Sequence, residues 1–221
     1  MKKAIAVLAF FVCLAGFGVA QAHQPRLVWS QDVIEISNPE VSQAFYAELK
    51  EKPQFFRIVT YEELPLYVSL LVPDIEGADK DFNVRIYRTR VPLAELANLD
   101  SRQYDWTRFY EKYAGDWYWQ GPEFRQTVPL GVYEIEVSSP DNLGKYVLAM
   151  GEKEEFLIKE ALKTIVVIPE LKSDFFGKSV FSSFFNYIGL LISLATLLIL
   201  AAAAGLVWLV RKIIRRGAQK S

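Results

Sequence analysis

Along most of the chain, short runs of alternating apolar and polar residues are cut apart by Pro, Gly, Asn and Asp, a pattern that predicts strands. Leu27 to Ile36 contains Val33-Ile34-Glu35-Ile36, and Asn38-Pro39 breaks the run before Gln43 to Leu49. Phe55 to Val59 alternates, and Leu66 to Val72 is nearly continuous in apolar residues until Pro73-Asp74 stops it. Phe82, Val84 and Ile86 fall on one face, with Asn83, Arg85 and Tyr87 on the other. Val132 to Val137 alternates again, Ser139-Pro140-Asp141-Asn142 and Gly144 turn the chain, and Lys145 to Met150 closes the set. About seven strands so spaced predict an all-β fold, an antiparallel β-sandwich of jelly-roll-like form over residues 23–168. Neither βαβ alternation nor a glycine-rich phosphate loop is present, which argues against a nucleotide-binding fold.

Three segments depart from that pattern. Pro92 to Leu99 places helix formers behind a helix-starting proline and predicts one or two helical turns. Glu152 to Lys163 mixes charges with Phe156, Leu157, Ala161 and Leu162, and reads either as a short amphipathic helix or as a strand extension. Ser173 to Tyr187 carries Phe175, Phe176, Phe181, Phe184, Phe185 and Tyr187 within a juxtamembrane segment, 169–187. Such an aromatic stretch fits an interfacial helix at the lipid headgroups; an oligomer contact is the competing reading.

Both ends of the chain predict export. Lys2 and Lys3, the apolar stretch Ala4 to Leu14 and Ala20-Gln21-Ala22 make residues 1–22 a signal peptide. Ile188 to Val210 holds 23 uncharged residues and is followed by Arg211, Lys212, Arg215 and Arg216. As a helix that run is about 34 Å long, enough for a single transmembrane α-helix. The basic tail, 211–221, is expected in the cytoplasm and the sandwich outside it, at the cell membrane.

The charge balance then separates. Setting aside Lys2, Lys3 and the five tail cations Arg211, Lys212, Arg215, Arg216 and Lys220, the chain's 25 basic residues against 26 acidic ones become a net charge of −8 on the exported part. An acidic exterior argues against nucleic acid as a partner. Cys13, the only cysteine, falls within the signal, so the exported part makes no disulfide.

The run from Gly131-Val-Tyr-Glu-Ile-Glu-Val-Ser-Ser through Gly144-Lys-Tyr-Val-Leu resembles the last hairpin of bacterial pre-peptidase C-terminal-type β-sandwich domains. Phe55 to Ile58, Leu66 to Asp74 and Phe82 to Tyr87 are similar to that family's first strands. The resemblance covers about half of the exported part and implies a non-catalytic module that binds carbohydrate, protein or calcium. This chain differs from the pattern in having no attached enzyme and in carrying a predicted span. Its order of signal, sandwich, span and basic tail also resembles the architecture of Golgi-dynamics-type cargo adaptors, without their cysteine pair and coiled coil.

Candidate chemistry is sparse. With one histidine and one cysteine, no Ser-His-Asp, Cys-His or ordinary zinc arrangement is available, so an enzyme is not expected. His23, left by signal cleavage with a free α-amine, is a candidate copper ligand. Asp74, Glu76, Asp79 and Asp81 are candidate calcium ligands, set against the plainer reading of a solvated acidic turn. Residues 104–124 hold nine aromatics, among them Trp106, Tyr113, Trp117, Tyr118 and Trp119. They predict either a loop packed over an open end of the sandwich or an exposed surface for a protein or glycan. Alternation places Trp117 and Trp119 on one face and Tyr118 on the other. The expected function is therefore binding or assembly at a membrane, with extracytoplasmic copper handling through His23 as the alternative.

Overall fold

The computed structural model describes residues 23–30, 32–89, 93–112, 115–155, 158–185 and 187–218. The predicted signal peptide and the last three residues of the tail lie outside them.

Alternation along the strands decides which side chains enter the core. In β4 (Gln54–Thr60), Phe56 and Ile58 point inward, as do Val84 and Ile86 of β6 (Asn83–Arg88) and Tyr133, Ile135 and Val137 of β10 (Gly131–Ser138). β10 pairs antiparallel with both neighbours, so Ile135 stands beside Phe56 on one side and Ile86 on the other. β2 (Ile34–Glu35) and β7 (Ala94–Asp100) complete a five-stranded sheet in the order β2-β4-β10-β6-β7.

Facing it is a six-stranded sheet. It contains β1 (Gln24–Val28), β3 (Gln43–Lys50), β5 (Leu64–Pro73), β8 (Thr107–Glu111), β9 (Asp116–Val128) and β11 (Leu143–Met150), in the order β1-β3-β11-β5-β9-β8. Between the sheets, Leu66, Val68, Leu70, Val72 and Tyr146 meet Phe56, Ile58 and Tyr133 in one dry core. The fold is an all-β sandwich. It is not wholly antiparallel: β1 runs parallel to β3, and β2 parallel to β4, at the same side of the two sheets. A register shift between Ser69 and Leu71 against β9 marks a bulge where the sheet curls toward its far edge.

Two expectations are corrected. Residues 94–100 form strand β7 and not a helix, because Val84 pairs with Leu99 and Ile86 with Ala97, and Leu96, Ala97 and Leu99 cover the core. Core pairing outweighs helix propensity there; Pro92 lies outside the described residues. Residues 173–187 do not form one interfacial helix. A π-helical turn, Leu171–Phe175, is followed by Gly177 in the left-handed region and a 3-10 turn, Val180–Phe184.

Of the two readings of Glu152 to Lys163, the helical one holds in part, as α1 (Ile158–Glu170). It packs beside β1. The long helix α2 (Tyr187–Ala218) ends the described chain. Among the described residues no helix is long and apolar enough to cross a membrane. Within 188–210 the side chains at 188, 191, 192, 195, 206 and 209 lie outside them.

Candidate partner-binding site

The aromatic segment is a hairpin, β8–β9, at the curled edge of the six-stranded sheet. Because strand faces alternate, the hairpin has two different sides.

One side carries rings interleaved with cations. Lys80 Nζ sits 3.2 Å from the centre of the Trp119 ring and 5.7 Å from that of Trp106. Arg108 lies 4.2 Å over Trp117, whose ring tilts against Tyr110 at 5.1 Å. Between the two cation–ring pairs stands Asp74, accepting from Arg108 Nε at 2.7 Å and from Trp119 Nε1 at 3.0 Å. The Arg108 hydrogen bond, aided by that of Trp119, holds the Asp74 carboxyl below the ordinary carboxylate range. Trp106 anchors the row: its Nε1 donates to the Ser101 carbonyl at 3.2 Å and its ring packs on the core. Tyr110 and Trp117 are exposed, whereas Trp119 is half-buried.

The other side is closed. Tyr118 is buried, stacks on Phe109 at 5.6 Å and meets Phe176 edge-on. Its hydroxyl lies 3.2 Å from that of Tyr46. Burial, the largest cause for each, pushes both phenols well above their ordinary value. Phe175, Phe176 and Leu171 cover this face and form a second core on the outside of the sheet.

An ion cluster seals that second core. Lys172 Nζ donates to Asp116 Oδ2 at 2.5 Å, and Lys178 Nζ donates to Asp116 Oδ1 at 2.8 Å. The Lys172 side chain is 1% exposed and that of Asp116 is fully buried. Gly177, at φ 62°, reverses the chain so that Lys178 N–H reaches the Lys172 carbonyl at 2.7 Å. The reversal brings both ammonium groups to one carboxylate.

The structure therefore groups Trp106, Trp117 and Trp119, and sends Tyr118 to the opposite face; Tyr113 lies outside the described residues. Sequence reasoning left out Lys80 and Arg108. Arg108 was visible, since Trp106, Arg108 and Tyr110 recur at strand spacing. Asp116, Lys172 and Lys178 gave no such signal, their partners being 56 and 62 positions apart.

The metal candidates do not converge. Asp74 is engaged by Arg108 and Trp119, and Asp79 Oδ1 accepts the backbone N–H groups of Lys80 and Asp81 at 2.6 and 3.0 Å. Glu76, Asp79 and Asp81 are exposed. His23 Nδ1 lies 2.6 Å from Ser42 Oγ. Among the described residues no three His, Cys, Asp or Glu gather closely enough to hold a metal ion.

A cleft of about 430 Å³ opens beside β1 and β2, near α1, over Val28, Ile34 and Phe45. Arg26 at its rim is engaged by Glu160 at 2.8 Å, Gln24 at 2.6 Å and Gln43 at 3.4 Å, so its guanidinium is committed to protein acceptors.

No protein-family model matches the chain, and no curated protein matches it. Among solved structures, the chain is similar to the pre-peptidase C-terminal domain of collagenase from Bacillus anthracis, at 9% identity and a TM-score of 0.35, over 55% of this chain and 95% of that one.

Proposed function

We propose that this chain is a single-pass membrane protein whose sandwich lies outside the cytoplasm and offers the ring-and-cation face of β8–β9 to a protein partner. The observation that carries the reading is that face itself. It holds exposed Trp117 and Tyr110 at the outer strands of the six-stranded sheet, with Arg108 and Lys80 laid over indole rings. Tryptophan, tyrosine and arginine are the residues that dominate protein interfaces. A sugar needs a bare ring face to stack on, and here cations cover faces of Trp117 and Trp119. The arrangement favours a protein over a glycan.

Membrane attachment rests on α2. The sequence is uncharged without interruption from Ile188 to Val210. Leu190, Leu194, Leu197, Leu198, Ile199, Leu200, Val207, Trp208 and Val210 are all exposed. Four of them are consecutive and so point to every side of the helix. A helix whose described side chains are mostly exposed and apolar is at home in hydrocarbon, not in water. Arg211 and the basic residues after it orient the tail to the cytoplasm.

Trp117→Ala is the cleaner test, because Trp119 also fixes Asp74 and Lys80. Full-length protein carrying W117A is expected to keep its melting temperature and to lose at least tenfold in partner capture, about 1.4 kcal/mol. Undiminished capture by the folded variant refutes the site.

A further inference from the structure

The outward face of α1 exposes large apolar side chains beside its lysines. Leu162 and Val166, one helical turn apart, are 60% and 73% exposed. The opposite face buries Glu160 and Ile168, and Leu171 follows just beyond the helix. The 3-10 turn beside α1 exposes Phe181, and Phe185 follows it, at 75% and 86%. Trp29, at the end of β1, is exposed too, and its Nε1 donates to Glu170 Oε1 at 3.2 Å, which ties the indole to the end of α1.

We propose that Trp29, Leu162, Val166, Phe181 and Phe185 form one lipid-contacting face, so that α1 lies on the bilayer and the sandwich is held against the membrane rather than suspended above it. The inference rests on the reading of α2 as a span and adds a second, peripheral contact to it. Continuity identifies the occupant: the face is followed along the chain by α2, whose described exposed apolar side chains include Leu190. Its chemistry fits the headgroup layer, where Trp and Phe settle and lysines meet anionic lipid. Lys159 and Lys163, both exposed, flank Leu162 on the same side of the helix, Lys163 while bonded to Glu160 at 2.8 Å. The face is also fixed in direction. Arg26 bonds Glu160 of α1 at 2.8 Å, and the buried Lys172–Asp116 pair pins the following turn to the sheet.

The test uses the full chain with Cys13, the only cysteine, replaced by Ser. Single cysteines at L162C, V166C, F181C, I199C and Y61C carry an environment-sensitive nitrobenzoxadiazole label. All five positions are exposed, so labels leave the core intact. The protein is reconstituted into phosphatidylcholine–phosphatidylglycerol vesicles with and without brominated acyl chains. Labels at 162, 166, 181 and 199 are expected to emit to the blue and to lose most of their fluorescence to bromine, while the label at 61 stays unquenched. If 199 is quenched but 162 and 166 emit as in water, the proposal is overturned while the span stands. Blue-shifted emission at 162 and 166 that bromine leaves untouched overturns it too, and assigns the face to a second copy of the chain. Absence of quenching at 199 removes the span and the proposal together.

Discussion

Removing one charge at the base of the hairpin tests how the second core is held. Asp116→Asn keeps the side-chain shape and deletes the negative charge that two lysines share. Lys178, 40% exposed, turns to water. Lys172, 1% exposed, has no such exit. If it stays charged without its partner, the cost is about 3–5 kcal/mol. If it gives up its proton at pH 7, the cost for an ordinary lysine is about 4.6 kcal/mol. The two routes set a similar ceiling. Lys172→Met deletes the buried cation and leaves Asp116 its bond to Lys178, so about 1.5–3 kcal/mol is lost instead. At about 2–4 °C per kcal/mol, D116N lowers the melting temperature by about 6–20 °C, more than K172M does.

Thermal unfolding of the full chain in detergent, followed by near-ultraviolet circular dichroism, gives both values. A second reading comes from pH. Burial is the largest influence on Lys172 and lowers its pKa. A lysine with a folded pKa below its unfolded one binds its proton more tightly in the unfolded chain, so stability rises with pH across that window. The D116N deficit should therefore shrink as pH climbs toward the ordinary lysine value. A D116N protein no less stable than K172M, or with a deficit flat in pH, refutes the reasoning.

Acid should weaken the docking of α1. Hydrogen bonds from Lys163 and then Arg26 hold the Glu160 carboxyl below its ordinary value, so its contribution is complete above about pH 4.5 and is lost as pH falls through the folded value. Glu160→Gln should flatten that part of the melting-temperature profile; an unchanged slope rejects the assignment. Gly121→Ala places a methyl 2.7 Å from the Trp106 ring, and the overpacking should cost about 1–3 kcal/mol and weaken partner capture by shifting that ring. Wild-type stability in G121A would show that Trp106 is not seated there. At Gly151, φ 69°, a Cβ would collide with the main chain of Val41 and Glu40, while at Gly77, φ 74°, it meets open space. G151A should therefore melt well below G77A, by more than about 1 kcal/mol in stability; equal melting temperatures contradict the packing.

The sandwich was legible because its strands bury one face each, and period-two alternation is a local property. Phe56 and Ile58, or Val84 and Ile86, announce their inward face within a few residues. The missed elements are those whose conformation is decided elsewhere. Residues 94–100 carry Ala, Glu and Leu, yet become β7 because β6 offers an unpaired edge. The β8–β9 hairpin had two open readings, a packed loop or a presented surface, because nine aromatics signal burial and binding equally well. The Trp–Tyr–Trp alternation was sound as far as it went: Tyr118 faces away from its neighbours. What the sequence concealed was the cover on Tyr118, since Phe175 and Phe176 come from a segment that reads as membrane-interfacial.

That concealed contact changes what the hairpin is able to do. Trp117 and Asp116 are adjacent, but strand alternation sends one to the proposed partner surface and the other into the ion cluster with Lys172 and Lys178. A strand edge left to itself frays, and a face built on it would shift by more than interface complementarity tolerates. Here the back of the edge is packed by Phe109, Tyr118, Phe175 and Phe176 and locked by a carboxylate that two lysines share. The lysines belong to the stretch that leads directly into α2. The same few side chains therefore stiffen the ring-and-cation face and fix the turn at Leu171–Phe175, which precedes the long helix in the chain, to the sheet.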